Sequence, residues 1–157
     1  PACLCPIFRS YVARRSMNSR KYWTPGNYIQ IPLDDNRYCY GVVTITERLA
    51  FVDYCDAKAL EPDEIVALPI LFEISAAKYT IGKNGWLVAG KADLNERFET
   101  KPFFYKKDII SGKYSIVDST WMNEVPATET ECQNLEKAAV WEPCHIEDRL
   151  RQHFGIQ

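Results

Sequence analysis

The chain has 157 residues, of which 46% are hydrophobic and 25% are charged, as in one soluble globular domain with its own core. No apolar run reaches the about 20 residues of a membrane-spanning helix, which argues against an integral membrane protein. Residues 1–22 carry five basic side chains and no acid, so the other 14 bases face 21 acids and residues 23–157 have a net charge of −7. Nucleic-acid binders need a basic surface, so this acidic body favours a basic protein partner instead.

The first 21 residues differ from the rest of the chain. They are basic and lack acids, as transit peptides do, but Pro6 interrupts an early helix and no apolar face develops. We interpret residues 1–21 as a basic extension that is either disordered or not native to the protein, with Met17 as a candidate start. We expect residues 22–157 to form a single domain.

After a Pro-Gly turn, alternating apolar and polar residues predict a β-meander. Ile29, Ile31 and Leu33 share one face of its first strand, which is typical of a half-buried strand. Pro32 has no backbone N–H, so this strand should lie at an edge or present Pro32 outward. Gly41 in the second strand indicates a bulge or a sharp bend. The three predicted strands span 28–33, 37–45 and 49–54.

The middle of the chain adds a short helix, more strands and a hairpin. Pro62 in a first turn, surrounded by acids, predicts the helix. Residues 103–118 are typical of a hairpin whose turn lies near Ser111 and Gly112. The helix is expected at 61–68, and two further strands at 70–74 and 85–90.

Two helices are predicted at the C-terminus. Thr128 and Glu131 form a capping-box pattern that begins the first helix, whose apolar stripe continues to Ala139. The second helix, residues 145–154, should bury Ile146, Leu150 and Phe154. Strands followed by helices predict an α+β fold. We expect a strongly bent antiparallel sheet over 26–117, made of the meander and the hairpin, with both C-terminal helices packed on it.

The adjacent Cys144 and His145 are the first candidates for chemistry. Neighbouring residues on a helix point about 100° apart, and no partner that would orient the histidine is visible. His153 has no second ligand four residues away, and the chain contains neither a glycine-rich phosphate loop nor a G-x-S-x-G elbow. We therefore predict a non-catalytic protein with no metal and no cofactor. The alternative is a small thiol-dependent hydrolase or transferase using Cys144, because a helix N-terminus can lower a thiol pKa.

The six cysteines, at positions 3, 5, 39, 55, 132 and 144, show no spacing typical of a zinc knuckle or a disulfide scaffold. Cys39, Cys55 and Cys132 lie among apolar neighbours and are expected to be small buried hydrophobes. Reduced thiols and a cytoplasmic location are therefore predicted.

Acidic side chains concentrate in the predicted C-terminal helices, where few bases balance them. Acids favour helix N-termini for local reasons, and a Trp between helices is usually buried. A Trp with an exposed edge can also anchor an interface. The predicted partner-binding residues are Glu129, Glu131, Trp141, Glu142, Glu147 and Asp148.

Five segments, in order along the chain, resemble the immunity protein 26 family of bacterial polymorphic toxin systems. They are PGNYIQIPLDDNRYCYGVV, FVDY, LFEI, FFYKKDIISGKYSIVD and TECQNLEKAAVWEPCHIEDRLRQHF, and together they run from residue 25 to 154. Asn27 and Asn36 stand where the family often has Asp and Gly, and both keep the turn chemistry because Asn tolerates the left-handed region. The position of Cys144 varies in the family, which weakens its case as a nucleophile.

The resemblance implies a cytoplasmic, non-catalytic protein that binds and neutralises a cognate protein toxin, with neither nucleic acid nor membrane as its partner. A nuclease is one candidate toxin, because its basic active-site cleft would attract an acidic body. A general peptide-binding, barrel-like module is a further alternative. A large toxin gene immediately upstream would favour the immunity protein over this module.

Overall fold

A computed structural model describes residues 19–34 and 36–157. Most of the predicted extension, residues 1–18, therefore lies outside the described residues. The helices are α1 (Ser19–Tyr22), α2 (Pro62–Ala67), α3 (Glu129–Cys132) and α4 (Pro143–Phe154). The strands are β1 (Asn27–Pro32), β2 (Tyr38–Val43), β3 (Leu49–Val52), β4 (Ile70–Ala76), β5 (Val88–Lys91), β6 (Phe104–Lys107), β7 (Tyr114–Val117), β8 (Glu124–Ala127), β9 (Glu136–Lys137) and β10 (Val140–Trp141). Within the described ranges no helix has both the length and the apolar character needed to cross a bilayer.

The α+β class predicted from the sequence is confirmed, with strands divided between two mixed sheets. The larger sheet has the order β10–β4–β3–β2–β1–β5 and contains the expected antiparallel meander β1–β2–β3. The smaller sheet has the order β8–β7–β6–β9 and contains the expected hairpin β6–β7. Where one bent sheet was expected, the chain leaves the first sheet after β5 and makes a 3₁₀ turn at Glu96–Phe98 before the second sheet begins.

Gly41 does not form the bulge that the sequence indicated. Pairing is unbroken through Ile29 and Gly41, and through Gly41 and Phe51. A Cβ atom at Gly41 would lie 3.0 Å from the Phe51 ring and 3.2 Å from the Ile29 side chain, so any larger residue there would have to displace these two side chains. Pro32 is exposed, as predicted, and the pairing of β1 with β5 ends before it, at Ile29.

Both faces of the larger sheet are covered. On one face Leu49 and Phe51 of β3 share a core with Ile146 and Leu150 of α4. The alternate residues of β3 belong to a second core on the other face, which includes Phe98 and residues of α2. Successive strand residues point to opposite faces, so all four residues of β3 are buried.

The first C-terminal helix is much shorter than predicted. Its capping box is present, since Thr128 Oγ1 accepts a hydrogen bond from the Glu131 amide at 3.2 Å and the Glu131 carboxylate accepts one from the Thr128 amide at 2.7 Å. The helix nevertheless ends at Cys132, and Ala139 lies outside it. The following segment supplies β9, parallel to β6, and β10, parallel to β4, so sheet pairing overrides the helical spacing.

Two arginines join the sheets. Arg48 is 7% exposed; its Nε donates to Ser75 Oγ of β4 at 2.9 Å, and its Nη2 donates to the Ser119 carbonyl in the β7–β8 turn. Its guanidinium also lies 4.6 Å from the Phe104 ring centre, and burial lowers its pKa. Arg149 of α4 forms a two-point ion pair with Glu136 of β9, at 3.0 and 2.6 Å.

Candidate partner-binding surface

Helix α4 carries two of the six predicted binding residues, Glu147 and Asp148, and a third, Glu142, is its N-cap residue. Pro143 occupies its first turn, and Gly155 ends it in the left-handed conformation with φ of 67°. Pro143, Ile146 and Leu150 form its buried face. Each of these residues follows the previous one by about one helical turn, so all three lie on the same face of α4. The opposite face is left for polar residues.

The structure places Glu147 and Asp148 on α4 and Glu142 at the position that precedes it. Glu142 is the N-cap residue, and its side chain makes no capping hydrogen bond. Glu147 Oε2 lies 3.4 Å from Arg151 Nη1, which partly neutralises it. Asp148 is exposed, and it makes no ion pair with a described residue. Glu142 and Asp148 therefore carry the uncompensated negative charge of this helix.

Glu129 and Glu131 lie on a different part of the protein. Both are on α3, which contacts β7 of the smaller sheet, whereas α4 packs on the larger one. Glu129 Oε1 accepts a hydrogen bond from the Tyr114 hydroxyl at 3.2 Å, and the Glu131 carboxylate is used in the capping box. These two acids have local structural roles, and α3, which carries both, is anchored separately from α4.

Trp141 lies in β10, immediately before α4, and not in a connection between two helices. Its ring is half-buried and packs against the core beneath α4. Its backbone carbonyl accepts a hydrogen bond from the Ala77 amide at 3.0 Å, and the Arg149 guanidinium lies 5.2 Å from the ring centre. The indole Nε1 is buried and has no hydrogen-bond partner among the described residues. These contacts give Trp141 a packing role between α4 and β4.

Cys144 and His145 occupy successive positions in the first turn of α4. Cys144 is half-buried and His145 is exposed. The other histidine, His153, has its Nε2 3.4 Å from Asp53 Oδ1 and its ring edge-on to Phe154. Among residues 19–34 and 36–157, no three His, Cys, Asp or Glu side chains are grouped so as to hold a metal ion.

Three of the described cysteines, Cys39, Cys55 and Cys132, are free thiols. Cys39 and Cys132 are buried, as predicted, and Cys55 is half-buried. Burial raises the pKa of the Cys39 thiol far above its ordinary value, which keeps it protonated and unreactive.

The sequence reasoning missed an exposed apolar tip in the β6–β7 hairpin. Ile109 and Ile110 are each 99% exposed in the turn between these strands. Lys106, Lys107 and Lys113 flank them, and a shallow cleft of about 610 Å³ runs along the hairpin. The signal in the sequence is the segment KKDIISGK, in which two isoleucines occupy a turn that ordinarily holds polar residues.

The comparisons with known proteins give one match. The family model described as Immunity protein 26 matches residues 24–116, which is more than half of the chain. These residues include β1 to β6 and most of β7. Among curated proteins and solved structures, none matches this chain.

Proposed function

The chain belongs to the immunity protein 26 family, and we propose that it neutralises a cognate bacterial toxin by binding it in a stoichiometric complex. The family match carries this proposal, because it extends over the meander and the hairpin that organise the two sheets. We also propose that the protein acts in the cytoplasm, where unbridged thiols such as those of Cys39, Cys55 and Cys132 persist.

The proposed mechanism is occlusion of the toxin without catalysis. Its support is the match of the immunity protein 26 family model to residues 24–116. A binding inhibitor protects only up to one equivalent of toxin, whereas an enzyme protects at far lower ratios. Titration of the purified toxin domain encoded beside this gene, with residual toxin activity as the readout, separates the two mechanisms.

A cysteine variant tests the rival thiol enzyme directly. Cells that co-express the toxin domain and Cys144→Ala should grow as well as cells with the wild-type protein. If the folded variant no longer protects, the thiol-dependent hydrolase or transferase becomes the better explanation. If the neighbouring gene encodes no toxin and the protein binds diverse extended peptides, the peptide-binding module is favoured.

We propose that Glu142 and Asp148 contribute to the toxin contact. A toxin that acts on nucleic acid needs a basic cleft, and the exposed Asp148 together with the half-buried Glu142 would attract such a cleft in low salt. Trp141 contributes by supporting α4 from below, and Glu147 adds to the same negative field. Glu129 and Glu131 on α3 would form an outlying part of the contact.

Charge reversal tests this surface. Glu142→Lys combined with Asp148→Lys should slow association with the toxin roughly tenfold or more at low salt, because electrostatic steering acts mainly on the on-rate. The matched control is Asp93→Lys combined with Glu99→Lys, which reverses two exposed acids beside the second core, on the opposite face of the larger sheet. Equal association rates for the two double variants would show that α4 is not the steering surface.

A further inference from the structure

The tip of the β6–β7 hairpin combines full exposure with apolar character. Ile109 and Ile110 are each 99% exposed, more than any other large apolar side chain among the described residues. Scattered exposed apolar residues are ordinary on protein surfaces, but two adjacent isoleucines at the end of a hairpin form a continuous apolar projection.

The turn holds this projection in one conformation. Asp108 Oδ1 accepts hydrogen bonds from the amides of Ile110 at 2.8 Å and Ser111 at 2.7 Å. The Asp108 backbone also pairs with Lys113, and Gly112 takes the left-handed conformation with φ of 69°. These hydrogen bonds lower the pKa of Asp108, which stays ionised at neutral pH. The isoleucines are therefore fixed before any partner binds, which reduces the entropy lost on binding.

The hairpin carries the tip away from the junction between the sheets. Its other end is the β7–β8 turn, where Ser119 is bonded to the buried Arg48. Strands β6 and β7 are four residues long, so the tip lies about 13 Å farther out. It projects from the protein and is free to enter a concave surface.

Basic side chains surround the tip in an otherwise acidic protein. Lys106 lies 3.4 Å from Glu124, Lys107 lies over the Tyr114 ring at 5.3 Å, and Lys113 makes no ion pair with a described residue. The three lysines lie within one segment of eight residues, 106–113, whereas residues 23–157 as a whole have a net charge of −7. Asp108 and Glu124 offset part of this positive charge, and the remainder complements an acidic rim on a partner, opposite in sign to the partner surface that α4 would meet.

We propose that Ile109 and Ile110 insert into an apolar pocket with an acidic rim on the cognate toxin, and that they anchor the complex. This proposal rests on the proposed function. A second copy of the chain is a less suitable partner for the tip, because a symmetric contact would bring the lysines of both tips together. A bilayer is also a less suitable partner, because anionic lipid repels residues 23–157, whose net charge is −7.

The test replaces the anchor and leaves the turn intact. Ile109→Ser combined with Ile110→Ser should weaken toxin binding by about a hundredfold, mainly through faster dissociation, because two buried apolar anchors are lost. The matched control is Leu87→Ser combined with Met122→Ser, which removes side chains that are 67% and 84% exposed elsewhere on the protein. Its affinity should stay within about threefold of the wild type. The probe is the toxin domain encoded beside the gene, and both rate constants are measured by surface plasmon resonance.

Each outcome has a distinct meaning. If the wild-type protein does not bind the toxin domain, the proposed function fails and this inference fails with it. If the wild type binds and the folded tip variant dissociates no faster, only the inference is overturned. Flotation with vesicles of 70% phosphatidylcholine and 30% phosphatidylglycerol that requires Ile109 and Ile110 would overturn it in favour of a membrane contact. A dimer in sedimentation experiments that the tip variant abolishes would overturn it in favour of self-association.

Discussion

Arg149 joins the two sheets through an ion pair, and its loss should lower the free energy of unfolding. Its guanidinium donates to both carboxylate oxygens of Glu136, at 3.0 and 2.6 Å, and lies 3.7 Å from the centre of the Phe72 ring. Glu136 belongs to the smaller sheet, whereas Arg149 and Phe72 belong to the larger sheet and its helix. Arg149→Met keeps an apolar stem of similar length and removes only the charged head.

The expected cost is about 2–3 kcal/mol of unfolding free energy. A buried charge-assisted pair would contribute more, but the two side chains are 30% and 29% exposed, so solvent screening reduces the pair to about 1.5 kcal/mol. Stacking of the guanidinium on Phe72 adds about 1 kcal/mol. For a chain of this size the total corresponds to a Tm lower by about 5–10 °C.

Urea denaturation of the purified protein measures this cost. The control variant is Arg151→Met on the same helix, because Arg151 makes only longer contacts, 3.4 Å to Glu147 and 3.3 Å to the Leu33 carbonyl. Arg151→Met should lower the free energy of unfolding by less than about 1 kcal/mol. A double-mutant cycle with Glu136→Gln should give a coupling of about 1 kcal/mol or more for Arg149.

The reasoning is refuted if Arg149→Met costs no more than Arg151→Met. It is also refuted if the cycle with Glu136 shows no coupling. In either case the two sheets would be held together by apolar packing and by Arg48, without a measurable contribution from the ion pair.

Three further predictions follow from single sites. Hydrogen bonds from Asn123 and Thr120 lower the pKa of Asp118 to about 2 from its ordinary 3.8, so its contribution to stability is present above pH 3.8 and is lost as the pH falls through about 2. Urea midpoints of Asp118→Asn and wild type should therefore differ above pH 4 and converge near pH 2. Gly85→Ala should lower the Tm markedly, because a Cβ would lie 2.3 Å from the Thr80 carbonyl oxygen; an unchanged melting curve would contradict this. Arg48→Ala should cost about 2–4 kcal/mol in urea denaturation, because two polar partners lose a buried donor.

Local patterns in the sequence determined the meander, the hairpin and α4. Alternating residues such as Ile29 and Ile31 specify which face of a strand is buried, and this depends on the backbone period alone. Pro143 and Gly155 act at the two ends of α4 through their own backbone preferences. These features need no information from distant parts of the chain, so sequence analysis found all three elements, although it began α4 at residue 145, two residues late.

Long-range pairing decided the remainder of the C-terminal region. The spacing from Cys132 to Ala139 fits a helix, but β9 and β10 find partners in β6 and β4, far away in the sequence. Backbone hydrogen bonds to both sheets outweigh the weak helix propensity of a short segment. The division into two sheets has the same origin, because it depends on which strands meet and not on any local pattern.

Exposure and charge pairing were also decided by the tertiary structure. The spacing of Glu147 and Arg151 already indicates a local pair on a helix, but only folding pairs Glu136 with Arg149 and leaves Asp148 without an ion pair to a described residue. The sequence of the β6–β7 turn likewise does not reveal that Ile109 remains uncovered. Whether a side chain is buried or paired depends on atoms contributed by distant residues, and local sequence fixes neither their position nor their distance.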